Sequence, residues 1–152
     1  MELVVAIGAS AFKIAADDAL GAVFGYACGL DMTRRDLQLS ERAKQRPWTL
    51  GKDVEASAPV STIMRAAVIG HPAKGAITLR QNGQTRQASD ISQMVWSVPE
   101  IIAHLSGFYH LGPGDLIFTG TPAGVGPVAS GDLLEGAIEG VGELTVTIGD
   151  SQ

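Results

Sequence analysis

Leu3, Val4, Val5, Ala6 and Ile7 form a short continuous apolar run closed by Gly8. A run of that length, stopped by glycine, predicts a strand buried on both faces. Ala22 to Leu30 is a second apolar stretch, rich in small residues. An acid flanks each run, Glu2 before the first and Asp31 after the second. Between the two runs, Asp17 to Leu20 can form a short helix. Thr33 opens a helical segment, DLQLSERAKQ, whose apolar stripe is only Leu37 and Leu39, and Pro47 stops it. Ile77–Gln81 and Gln84–Ala88 flank Asn82-Gly83, a dipeptide whose tolerance of positive φ predicts a hairpin with a type I′ turn. Ser97 followed by Glu100 has the spacing of a capping box, with Pro99 in the first turn. Ile101, Ile102, Leu105 and Phe108 then give the apolar face of a helix of about three turns. Leu116–Phe118 and Leu144–Ile148 read as strands separated by the glycine-laden TGTPAGVGPVASGD. Strands interspersed with a few short helices predict one α+β domain dominated by sheet, spanning residues 1–152.

Composition narrows the class. A chain of 152 residues with 45% hydrophobic and 18% charged positions is too apolar for disorder and long enough for a core. Nineteen glycines and seven prolines favour many turns between short elements over a helix bundle. Cys28 is the only cysteine, so no internal disulfide and no cysteine cage for zinc can form, which points to the cytoplasm. No apolar run approaches the ~18 residues of a spanning helix, so no membrane partner is expected. Residues 1–86 carry all eleven Lys and Arg against eight acids, and residues 87–152 carry eight acids and no base. That balance argues against nucleic acid as a partner. The cations Arg34, Arg35, Arg42, Lys44, Arg46 and Lys52 fall in one stretch, which suits either a small anion or a solvated helix face.

Most familiar catalytic signatures are absent: there is no G-x-S-x-G, no H-E-x-x-H, and the GTPAGVG loop lacks the Lys-Ser/Thr ending of a P-loop. His71, His104 and His110 have no partners at ligand spacing and read as surface or packing residues. What remains is a set of polar residues beside strand ends or in turns: Glu2, Asp31, Arg35, Asp36, Gln38, Lys52 and Thr121. Two carboxylates brought within 4 Å repel by roughly 4 kcal/mol at an effective dielectric near 20. A shared site must therefore protonate one of them or recruit a cation. Oxygen-only ligands favour Mg²⁺, with Mn²⁺ next.

The run GYACGLDMTRRDLQ resembles the GYxxxND-x-T/S-A-R-D-x-Q signature of the fumarylacetoacetate hydrolase superfamily, and LGPGDLIFTGTPAGVGPV resembles its second signature. ELVVAIG, SAPVS and SDISQMVWSVPEIIAHLS fall in the same family order, so the resemblance covers nearly the whole chain. The wording GLDMTRRDLQ, RPWTLGK and WSVPEII is most similar to the family's fumarylpyruvate hydrolases of gentisate breakdown, which split an acylpyruvate into pyruvate and a carboxylic acid.

The resemblance implies the β-sandwich or roll of the family's C-terminal type, a diketo acid as the small-molecule substrate, and pairing as a homodimer. It implies that Glu2 and Asp31 are metal ligands, that Lys52 and Arg35 act in catalysis, and that Gln38, Gly120 and Thr121 bind substrate. The family's metal site uses an E-x-E pair; Glu2 matches its second glutamate and Met1 its middle residue, so the first would precede position 1. A histidine–glutamate pair that activates water also lies upstream in the family, and the resemblance therefore implies a chain lacking its N-terminal segment. Leu30 stands for the usual asparagine, Arg34 for the usual alanine and Glu55 for a common aspartate. Decarboxylation or tautomerisation of oxaloacetate, or a sheet domain without catalysis, are the alternatives.

Overall fold

The computed structural model describes residues 1–150. The first apolar run forms β1 (Glu2–Ile7), buried along its whole length. The second forms β2 (Val23–Gly29), antiparallel to it, with Glu2 opposite Gly29 and Leu3 opposite Cys28. Two short strands complete this sheet, β3 (Met64–Arg65) beside β2 and β6 (Leu116–Phe118) beside β1, in the order β3-β2-β1-β6. A second antiparallel sheet has the order β5-β4-β7-β8, from β4 (Ala76–Gln81), β5 (Gln84–Asp90), β7 (Leu133–Ile138) and β8 (Gly142–Thr147). Leu3, Val5, Tyr26 and Cys28 from the first sheet join Ile77, Leu134 and Ile138 from the second in one buried cluster. The α+β, sheet-dominated sandwich expected from the sequence is the architecture observed.

Among the described residues five short α-helices lie around the sheets: α1 (Ala16–Ala19), α2 (Arg35–Ala43), α3 (Thr49–Lys52), α4 (Ala66–Ile69) and α5 (Val98–Ser106). The helix expected after Ser97 is α5. The Glu100 carboxylate accepts from both the Ser97 amide and the Ser97 hydroxyl at 2.7 Å, which fixes the start of the helix. Those bonds hold the Glu100 carboxyl below its usual pKa. Ile102 points from α5 into the cluster and is fully buried. Among the described residues no helix is long and apolar enough to cross a membrane.

The hairpin at Asn82-Gly83 forms as expected, with φ of 52° and 77° at the two turn residues. Asn82 does more than turn the chain. Its amide nitrogen donates to Asp132 Oδ1 at 2.7 Å, and its oxygen accepts from the Leu133 amide at 2.8 Å, tying the turn to the start of β7. Asn82→Ala is expected to remove both bonds and place a less tolerant residue at positive φ, at a cost of about 2 kcal/mol. Urea unfolding curves compared with those of the unsubstituted chain check this.

β7 corrects the sequence reading, which ran a glycine-rich loop on toward the last strand. Leu134, Gly136 and Ile138 alternate inward along β7, but the middle inward position carries no side chain to signal it. An added Cβ at Gly136 would lie 2.6 Å from the Met1 sulfur. The Met1 side chain occupies that space, so a distant residue completes the inward face of the strand.

Candidate functional site

β1 is one of the two inner strands of the first sheet, and its N-terminal end is where the site is assembled. Opposite that end, β2 stops at Gly29 and the chain continues through Leu30 to Asp31. This continuation is held by the Leu30 amide donating to the Pro59 carbonyl at 3.1 Å and the Met32 amide to the Ser57 carbonyl at 2.8 Å. On the other flank, β6 is extended past Phe118 by Thr119, whose amide and hydroxyl both donate to the Leu3 carbonyl. Gly120 follows with φ of 102°, a conformation that favours glycine, and turns its amide onto Glu2 Oε2 at 2.8 Å. The sheet register thus brings together Glu2, Asp31, Gly120 and Thr121, which are far apart in sequence.

Glu2 is only 3% exposed. Burial pushes its carboxyl above the usual carboxylate range, the Gly120 amide opposes that, and the negative charge of Asp31 adds to it. A carboxyl raised in this way binds its proton more tightly in the folded than in the unfolded chain. Its contribution to stability is full below the ordinary carboxylate pKa and is lost as pH rises through the raised value. In metal-free buffer the melting temperature is expected to fall across that interval, and Glu2→Gln is expected to remove the fall; thermal melts at a series of pH values check both.

Lys52 reaches Asp31 from α3. Its Nζ donates to Asp31 Oδ2 at 2.6 Å and to Thr33 Oγ1 at 2.9 Å. The approach depends on close packing of α2 against α3 at Gly51, where a Cβ would lie 2.9 Å from the Gln38 nitrogen. The Arg34 amide donates to the Gly51 carbonyl at 2.9 Å across the same contact. Both Lys52 and Asp31 are partly open to solvent, so the pair places charge more than it stabilises the fold. Arg35, at the start of α2, donates to Gln38 Oε1 one turn along. Asp36 sits in the first turn of α2, and no side chain caps that helix.

These groups border a cleft of about 530 Å³ between the α2–α3 face and the second sheet. Asp31, Arg35, Lys52 and Thr121 line it directly. Gly120 lines an adjoining cavity with Thr121, Glu2 sits beneath in the sheet, and Gln38 contacts the cleft through Arg35. The six-cation stretch divides in two. Arg34, Arg35 and Lys52 face the cleft, whereas Arg42, Lys44 and Arg46 are exposed, with Lys44 near Glu41. None of the three histidines lines the cleft: His71 Nδ1 is 2.6 Å from the Tyr26 hydroxyl, His104 packs edge-on against Trp96 and Phe108, and His110 stacks on Phe12.

Gln87 is a site residue that the sequence did not single out. It is 2% exposed, and its amide nitrogen donates to Thr121 Oγ1 and to the Pro122 carbonyl, each at 3.0 Å. Its oxygen accepts from the Met1 backbone nitrogen at 2.7 Å. It thereby ties the Gly120–Thr121 loop to the start of β1. Its neighbours Thr85, Arg86 and Ser89 are equally polar, so hydropathy alone gives no sign that Gln87 is buried.

A hard divalent cation fits this donor set, because two carboxylates, one of them buried, would otherwise repel. Among the described residues no three of His, Cys, Asp and Glu gather at one point, so Glu2 and Asp31 would be two ligands and other oxygens would complete the shell.

Residues 1–149 match the family model described as fumarylacetoacetate (FAA) hydrolase C-terminal. The chain is 51% identical to a fumarylpyruvate hydrolase from Ralstonia sp. over its full length, covering 79% of that protein. It is 40% identical to a human mitochondrial oxaloacetate tautomerase, over 97% of the chain and 67% of that protein. A crystal structure of fumarylpyruvate hydrolase from Pseudomonas aeruginosa in complex with Mn²⁺ and pyruvate superposes with a TM-score of 0.97 at 50% identity. That match covers 99% of this chain and 64% of the other.

Proposed function

The chain belongs to the fumarylacetoacetate hydrolase family, and from that premise we propose that it carries the metal- and substrate-binding part of an acylpyruvate hydrolase, cleaving a 2,4-diketo acid such as fumarylpyruvate into pyruvate and a carboxylic acid. The observation that carries this reading is a buried carboxyl, Glu2, lying in the sheet beneath a cleft lined by Asp31 and by the cations Arg34, Arg35 and Lys52. The Ralstonia and Pseudomonas relatives support it. Glu2 and Asp31 are proposed to hold Mg²⁺ or Mn²⁺, which when bound would polarise the carbonyl beside the substrate carboxylate.

The remaining work falls to side chains. Water adds its hydroxyl to the acyl carbonyl carbon and gives up a proton, the carbon–carbon bond breaks with its electron pair leaving as the pyruvate enolate, and the proton given up by water is returned to the enolate carbon. The Lys52 ammonium stabilises the negative charge that develops on the enolate. Arg35, steadied by Gln38, pairs with the substrate carboxylate, and the Thr121 hydroxyl donates to a substrate oxygen while Gln87 holds its position. The Gly120 amide keeps Glu2 aligned. The resemblance assigns water activation to a histidine–glutamate pair outside residues 1–152.

The test follows loss of fumarylpyruvate absorbance with and without Mn²⁺, for the chain and for a version extended upstream through that pair. Metal-dependent loss that is much faster in the extended protein is expected. No metal-dependent loss in either protein sinks the proposal. Oxaloacetate in the same assay separates hydrolysis from the tautomerase chemistry named for the human relative.

A further inference from the structure

The cleft holds more positive charge than one carboxylate requires. Arg34, Arg35, Lys52 and Arg86 line it together with Asp31 and Asp36, and among the described residues its one ion pair is Lys52–Asp31. Arg35 is engaged by Gln38, and Arg34 and Arg86 have no carboxylate within ion-pair distance among the described residues.

These two arginines come from separate elements. Arg34 is the residue before α2, with its backbone fixed by the Gly51 carbonyl at 2.9 Å. It stands where the family signature carries alanine. Arg86 lies on β5 in the second sheet, and its Nε donates to Gln81 Oε1 at 3.0 Å. Gln81 is anchored in turn by donating to Asp132 Oδ2 at 2.6 Å. One edge of the Arg86 guanidinium is therefore tied down, and its terminal nitrogens are free to form the planar fork that matches a carboxylate. A cleft of about 530 Å³ has room for an extended acid with a charge at each end.

We propose that Arg34 and Arg86 form a second anion subsite that reads a carboxylate at the far end of the acyl arm, so that dianionic acylpyruvates are preferred over monoanionic ones. This rests on the function proposed above and names its substrate class.

The experiment compares fumarylpyruvate with acetopyruvate, in which a methyl group replaces the arm and its carboxylate. The readouts are kcat/KM with Mn²⁺ and, independently, calorimetric affinity for the Mn²⁺-loaded protein. The unsubstituted protein is expected to prefer fumarylpyruvate by both measures. In Arg34→Ala and in Arg86→Ala the ratio of the two substrates should fall about tenfold, mostly through KM, and added salt should lower the ratio in the unsubstituted protein. Arg34→Lys should restore only part of it, because an ammonium lacks the fork. Equal affinities and rates for the two acids, or a ratio unchanged in both alanine variants, overturns the subsite and leaves the hydrolase reading standing. Failure of the Mn²⁺-loaded protein to bind either acid overturns both.

Discussion

Asp31→Asn is expected to lower metal-dependent kcat/KM for an acylpyruvate about a thousandfold and to weaken Mn²⁺ binding in parallel. The magnitude follows from Coulomb's law, since unit charges 4 Å apart at an effective dielectric near 20 interact by about 4 kcal/mol, close to three decades of rate. A divalent ion raises that figure, and the solvent exposure of Asp31 lowers it. Asparagine keeps the size and one acceptor oxygen, so the fold should be undisturbed. The substitution also frees Lys52 from its 2.6 Å partner, leaving Thr33 to hold the ammonium. Calorimetric titration with Mn²⁺ alone separates loss of the ion from loss of chemistry. If affinity for Mn²⁺ is unchanged while turnover collapses, Asp31 acts on the substrate and is not a ligand.

The largest expected effect on stability is at Ile102. Its side chain is fully buried between α5 and the shared core, and cutting it back to alanine removes three carbons from the packed cluster. A loss of about 3 kcal/mol follows, a substantial share of the ~5–15 kcal/mol typical of a domain. For a chain of 152 residues this corresponds to a melting temperature lower by about 9 °C. Urea unfolding should show a lower midpoint with an unchanged slope. Ile102 does not line the cleft, so Mn²⁺ affinity at low temperature should match that of the unsubstituted chain. A midpoint shift worth under 1 kcal/mol would mean that α5 contributes much less to the core than its burial indicates.

Local chemistry made part of this structure legible from sequence. Asn82-Gly83 and Ser97…Glu100 are short-range signals whose physics is complete within a few residues, and both elements form as read. The apolar runs of β1 and β2 are equally plain, and the acids flanking them stand out because a desolvated carboxylate is costly. β7 was missed because Gly136 leaves its inward face to Met1. α3 and α4, of four residues each, are too short for periodicity to register.

The site divides along the same line. Glu2, Asp31 and Lys52 could be named from a signature, but the contact of Lys52 with Asp31 exists because Gly51 lets α3 close on α2. Gln87 and Arg86 do not stand out in a strand that is polar at every position but Ala88. Gln87 gains its role once the Thr121 loop folds over it, and Arg86 through Gln81 and Asp132 across the sheet.

The most direct test of the account is anomalous scattering at the manganese edge from crystals grown with Mn²⁺ and pyruvate. The account predicts a single strong peak within bonding distance of the Glu2 and Asp31 carboxylates, with pyruvate oxygens on the same ion and Lys52 beside them. A peak elsewhere in the molecule, or pyruvate seated away from the ion, would contradict it.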